Sequence, residues 1–205
     1  MGATEAGTGI EARNGSALKE WAAVEQALGE GRVALLIRKG GIYEQRQGFQ
    51  VEHREFWIFP TLYHQNPDEL SPELHPFLEA ARVKDPGIDH VRLEHYAVVT
   101  DALRVESLEA VERLEGLHPL TRESVHSRFH YRNKPYLHAL LVRVYRMPEP
   151  YVVPNTLDYQ GCVSWVALDE EMPTAGAVPV LTDGEFEEVR AEVLRRLGEA
   201  GVVRL

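Results

Sequence analysis

Apolar and polar positions along this chain alternate between two spacings, and the change of spacing marks out the elements. Val33 to Ile37 is a continuous apolar run, long enough only for a buried strand. Phe56 to Phe59 predicts a second strand, closed by Pro60, which cannot donate to a sheet ladder. From Val91 to Val105 the alternate residues Val91, Leu93, Ala97, Val99, Leu103 and Val105 are apolar, the period of one long or two short strands. Leu137 to Tyr145 is apolar on both faces, as in a central strand, and Cys162 to Leu168 predicts the last one.

Helical spacing appears between these runs. Ser16 is placed to cap a helix reaching about Leu28, with Leu18, Trp21, Ala22 and Leu28 as its stripe. Ser71-Pro72 predicts a helix carrying Leu74, Leu78 and Ala81 that stops before Asp85-Pro86-Gly87. Ser107 caps a short helix with Leu108, Val111 and Leu114, and Thr121 another with Val125 and Phe129. Thr182 and Glu185 form a capping box ahead of Phe186, Val189, Val193, Leu194 and Leu197. The pattern predicts an α+β fold: residues 16–205 as a single domain, a mixed sheet of about five strands covered by helices, after a poorly ordered leader at 1–15. There is no internal repeat.

Composition narrows the function. The chain has 205 residues, 44% of them hydrophobic, so one sizeable core is available. No apolar run approaches a membrane span, and the first residues hold no apolar signal core. The single cysteine, Cys162, suits a reducing compartment; the expected location is cytoplasmic. A net charge of −10 argues against a surface that coats DNA or anionic membrane generally.

The charge is uneven. Arg122, Arg128, Arg132, Lys134, Arg143 and Arg146 share their stretch with one acid, Glu123, and with His126, His130, His138 and four aromatic residues. Arg32, Arg38, Lys39 and Arg46 against Glu44 make a smaller island. Two cationic islands on an anionic chain point to a local anion site, because guanidinium groups bind phosphate through paired hydrogen bonds. The same arginines can equally pair with acids elsewhere in the chain. If their strand is regular, Arg143 and Arg146 lie on opposite faces and serve different surroundings.

Other chemistry is weaker. His53, Glu55 and His64 are the best metal candidates, since imidazole with carboxylate suits a divalent transition metal, but HExxH and paired CxxC spacings are both missing. Cys162 has no recognisable base beside it. Gly40-Gly41 is not followed by the residues of a phosphate loop. LLIRKGG followed by FWIFP resembles the opening of a Nudix hydrolase, without its glutamate box. A restriction-type E-x-K or D-x-K strand is not found.

Several segments in order carry a more specific likeness. They are Leu18 to Trp21, Leu36 to Ile42, Phe59 to Gln65, Arg128-Phe129, Leu141 to Pro150 and Gly161 to Val166. Together they resemble the uncharacterised bacterial family termed domain of unknown function 1802, over about residues 17–170. The resemblance implies no established activity, only a link, through neighbouring domains in some members, to restriction–modification. The family's recurring polar positions fall on Arg38, Lys39, His64, Gln65, Arg128, Arg143, Tyr145, Arg146 and Trp165.

Three readings follow. In the first, a pocket takes an anionic ligand, a nucleotide or nucleic acid: Arg38, Lys39, Arg128 and Arg143 hold phosphate, while His64, Gln65 and Tyr145 orient the ligand, with no cofactor needed. In the second, a metal-dependent hydrolase uses His53, Glu55 and His64. In the third, the chain is a non-enzymatic interaction module. The proline-rich stretch from Pro148 to Pro154 suits either a homodimer edge or solvent.

Overall fold

The computed structural model describes residues 9–39, 50–161, 163–198 and 201–205. Gly40, Gly41, Glu44, Arg46 and Cys162, which enter the sequence reading, lie outside the described residues.

The strands are β1 (Arg13–Trp21), β2 (Leu35–Arg38), β3 (Glu55–Thr61), β4 (His90–Val105), β5 (Leu137–Pro154), β6 (Trp165–Pro173), β7 (Val178–Pro179) and β8 (Val202–Arg204). The helices are α1 (Ala22–Gly29), α2 (Pro76–Lys84), α3 (Leu108–Glu112), α4 (Arg122–Phe129) and α5 (Asp183–Leu197). The strands join one mixed sheet in the order β2-β5-β4-β3-β1-β6, with β7 on β5 and β8 on β4. The expected α+β class stands, with eight strands among the described residues rather than about five. β7 and β8 are short pairings with little apolar signal of their own.

The paired faces explain the continuous apolar runs. Leu36, Phe56, Ile58, Leu140 and Val142 pack beneath α1 with Val24 and Leu28. Their neighbours Leu35, Ile37, Ala139 and Leu141 turn the other way, against Val111, Val125, Phe129 and Val193 of the other helices. Trp57, Phe59, Tyr96 and Tyr145 form a third cluster with Val166 and Leu168. A sheet covered on both faces reads as unbroken hydrophobicity.

Several expectations need correction. The segment after Ser16 is not a helix down to Leu28. Residues Arg13 to Trp21 are a strand, parallel to β3 (Ala17 beside Trp57) and antiparallel to β6 (Ala17 beside Val166). Ala17 and Leu18 are both fully buried, in different clusters, so a period of two wins over the local helical stripe. β1 also begins inside the stretch assigned to the leader. Pro60 does not end β3, which runs to Thr61; beyond Trp57 it pairs only with β1, an edge-like setting in which proline is tolerated. β5 continues through its prolines to Pro154 against β4.

Ser71 does not cap α2: its Oγ donates to the Leu120 carbonyl (3.1 Å), Pro72–Leu74 forms a separate 3-10 turn, and α2 starts only at Pro76. The caps at Ser107, Thr121 and Thr182 follow the sequence. Ser107 Oγ accepts from Ala110 N, Thr121 Oγ1 from Ser124 N, and Thr182 with Glu185 completes the capping box. No helix among the described residues is long and apolar enough to cross a membrane.

Candidate functional site

The sheet curls until the two ends of its strand order approach each other. Arg38, the last residue of β2, donates to the Lys19 carbonyl (3.1 Å) on β1, to Glu20 Oε2 (2.9 Å) and to Ser164 Oγ (3.0 Å) just before β6. Lys39 follows, its ammonium donating to the carbonyls of Phe129 (3.2 Å), Lys134 and Tyr136 (2.6 Å). Arg128 reaches Glu69 Oε2 at 3.0 Å and lies over the Trp21 ring. Gln65 is close by: its Oε1 accepts from Ala23 N at 2.9 Å, capping α1 from outside, since Trp21 at the N-cap supplies no side-chain bond. Arg38, Lys39, Gln65 and Arg128 therefore gather round the end of β1, each with protein partners.

The remaining predicted residues do not join them. His64 is exposed beyond β3, in the left-handed backbone region (φ 59°), its ring 4.0 Å from that of Tyr63. Arg143 pairs with Asp183 at the start of α5 and lies over Phe186. Tyr145 is buried in the third cluster. Arg146 meets the Gly29 carbonyl and Glu30 at the end of α1, so the two arginines do serve different surroundings.

The alternative metal set is also dispersed. Glu55 opens β3 and accepts from Glu11 N (2.8 Å) and Tyr96 O–H (3.1 Å). Burial first, then the Glu55 charge, pushes the Tyr96 phenol up. His53 lies edge-on to Trp165. His64 comes after the far end of the strand, roughly 20 Å along it at the usual rise per residue. Among the described residues, no three His, Cys, Asp or Glu side chains stand close enough to hold a metal ion.

The register assembles a different group. Arg38 of β2 is opposite His138 of β5, and His138 is opposite Arg104 of β4. Cross-strand partners share a face, so these three form a basic row across three strands. Two residues further in, on the same face of β2 and β5, Leu36 and Leu140 belong to the apolar layer beneath α1. The core thus gives way at its end to a cationic mouth.

Tyr136 sits beside this row. Lys39 Nζ and the Arg104 guanidinium stand over its ring, 4.2 and 4.3 Å from the centroid. Burial first, and then the charges of Lys134 and Arg104, lower the Lys39 pKa to about 8. Glu106 pairs with Arg104 at 2.8 Å, while the buried Arg104 Nε has no hydrogen-bond partner among the described residues. The mouth opens on a cleft of about 410 Å³ lined by Arg54, Thr100, Arg104, Tyr136 and His138, with Gln50 and Val51 on one wall. Arg54 and Arg104 escape a reading of the sequence because they are single charges outside both basic islands. Arg104 occupies a polar slot between Leu103 and Val105, and its importance lies in register with His138.

Residues 17–192 match the family described as Domain of unknown function (DUF1802). The chain belongs to the DUF1802 family. A comparison with curated proteins finds no match. Among solved structures, the ASCH protein from Zymomonas mobilis is similar at 13% identity, over 86% of this chain and 93% of that one, with a TM-score of 0.41. Two point mutants of the same protein align at 13% and 14% identity, over 89% and 86% of this chain and 98% and 96% of theirs, with TM-scores of 0.40 and 0.41. This is a loose likeness of chain trace, and no chemistry follows from it for the DUF1802 chain.

Proposed function

We propose that this DUF1802 protein binds a phosphate-bearing ligand, a nucleotide or a single strand of nucleic acid, at the cleft beside Tyr136. The observation that carries the reading is the basic row Arg38–His138–Arg104, with Lys39 next to it. Arg38 and Arg104 each have a carboxylate partner, Glu20 and Glu106, and an anion in the cleft would supply the acceptor that the buried Arg104 Nε does not find among the described residues. Lys39 directs its hydrogen bonds to three carbonyls, so it contributes field rather than direct contact. Arg54 and Arg104 line the cleft itself and are the donors suited to phosphate oxygens. On an anionic chain such a patch would draw phosphate locally without coating the whole surface.

The test is an anisotropy titration of a labelled single-stranded oligonucleotide, with ATP and pyrophosphate as competitors. Arg54→Glu and Arg104→Glu are each expected to weaken binding roughly tenfold, since each removes a charge-assisted hydrogen bond and adds repulsion. Glu73→Gln, at an exposed position that lines neither cleft, serves as the control. Unchanged affinity in both cleft variants would overturn the reading.

The paired arginines favour a second reading, a non-enzymatic interaction module. Arg38 with Glu20, Arg128 with Glu69 and Arg143 with Asp183 tie segments that are distant in sequence. On that reading Arg128→Ala lowers stability, and phosphate ligands give no thermal shift.

A further inference from the structure

A second cleft, of about 440 Å³, opens between α1, the end of β3, the end of α2 and the start of β4. It shares no lining residue with the cationic cleft, and its chemistry is different. Its lining includes Glu25 of α1, which is 2% exposed. The side chain is fixed on both oxygens: His95 Nδ1 donates to Oε1, and Gln26 Nε2 donates to Oε2 at 2.6 Å. His95 is itself 1% exposed, so the pair is enclosed. Its ring lies so close to Gly29 that a Cβ there would stand 2.2 Å from two ring atoms. The helix therefore needs glycine at that position to accommodate the histidine that holds Glu25.

The wall and the rim narrow the ligand. Lys84 and Arg92, the basic side chains of the wall, both bond Glu94 Oε2, at 3.0 and 3.3 Å. They are committed to that carboxylate, whose pKa stays low despite burial, which opposes it, because Lys84 donates to it. The rim is apolar and open: Ile88 and Tyr63 are largely exposed and Leu62 partly so. Contiguous exposed apolar surface marks binding sites, and these three exposed apolar side chains all line this one cleft. Glu25 lines the cleft with one donor already on each carboxylate oxygen; a carboxylate oxygen has a second lone pair, so it can accept a further N–H donor.

We propose that this cleft binds a small organic cation: an amine or amidinium on an apolar, planar body. The charged nitrogen donates to Glu25, while the body packs between Tyr63 and Ile88. His95 and Gln26 act as positioning residues that hold the carboxylate in one orientation.

The experiment is calorimetric titration of the full chain with benzamidine and with tryptamine, using benzamide and benzoate as the neutral and anionic counterparts. At least one of the two cations is expected to bind, and its counterparts to bind at least tenfold more weakly, as for loss of a hydrogen bond to a charged group. Glu25→Gln should reduce binding of that cation by roughly tenfold or more. Because Glu25 is buried and that variant can fail to fold, Ile88→Ser and Tyr63→Ala at the exposed rim give an independent arm. Each should weaken the same cation several-fold while leaving the melting temperature unchanged. Arg54→Glu in the other cleft should leave cation binding untouched, which separates this proposal from the phosphate site. No binding by either cation, equal binding by benzamide, or full affinity in both rim variants would overturn it.

Discussion

Lys39 carries the most informative single side chain of the cationic mouth. Its pKa falls to about 8 because it is partly desolvated and stands near Lys134 and Arg104. The ordinary lysine value in an unfolded chain is about 10.4. The unfolded state therefore holds more protons between about pH 8 and 10.4, and this residue makes the fold more stable as pH rises through that window. Anion binding should run the opposite way, weakening as pH rises past about 8 and Lys39 loses its charge. Lys39→Arg keeps the charge at all these values and should flatten the loss of affinity between pH 7.5 and 9.5, taken as roughly one unit either side of that midpoint. A wild-type profile that is already flat would show that Lys39 does not act on the ligand. Gly29 is the other decisive position. Gly29→Ala sets a methyl against the His95 ring and should cost about 2 to 3 kcal/mol in urea unfolding, as overpacking of a buried site does.

At the scale of elements, the pieces that local chemistry determines were readable, and the one set by distant partners was not. Ser107, Thr121 and Thr182 announce α3, α4 and α5 because a capping hydroxyl and its amide are three residues apart. The alternation from Val91 to Val105 leaves one long or two short strands open; β4 is one strand, with bulges at Leu93/His95 and Val99/Asp101 that shift its register. β1 misleads because Leu18, Trp21 and Ala22 straddle the junction of a strand and a helix. Its strand character comes from β3 and β6, far along the chain. The cap of α1 comes from Gln65, forty-two residues beyond Ala23, so nothing near Ser16 signals it. Gln65→Ala removes that acceptor and should lower stability by about 1 kcal/mol. A chemical-denaturation midpoint unchanged from wild type would mean that water replaces the cap without loss.

At the scale of the whole molecule, the strand order of the sheet decides which basic residues lie side by side. The sequence shows where cations are concentrated but not which strands lie side by side. The order β2-β5-β4 sets Arg38, His138 and Arg104 in one row, whereas Arg143, within the larger basic island, faces Asp183. Proximity in sequence was thus a poor guide to which basic side chains lie together, and the shared cleft of Arg54 and Arg104 comes into view only through tertiary structure. The same sheet carries α1 over its apolar layer and leaves clefts with no lining residue in common, one holding Arg54 and Arg104 and the other Glu25.

The most direct test of the cationic mouth is the salt dependence of oligonucleotide binding. Removing one cation that neutralises a phosphate should make the slope of log K against log salt concentration shallower by about 0.7 for a single strand. The wild-type chain should show a clear negative slope, and the double variant Arg54→Glu/Arg104→Glu a slope shallower by about 1.4, as for two such cations. Absence of binding at low salt, or identical slopes in the two proteins, would contradict a phosphate site at this cleft.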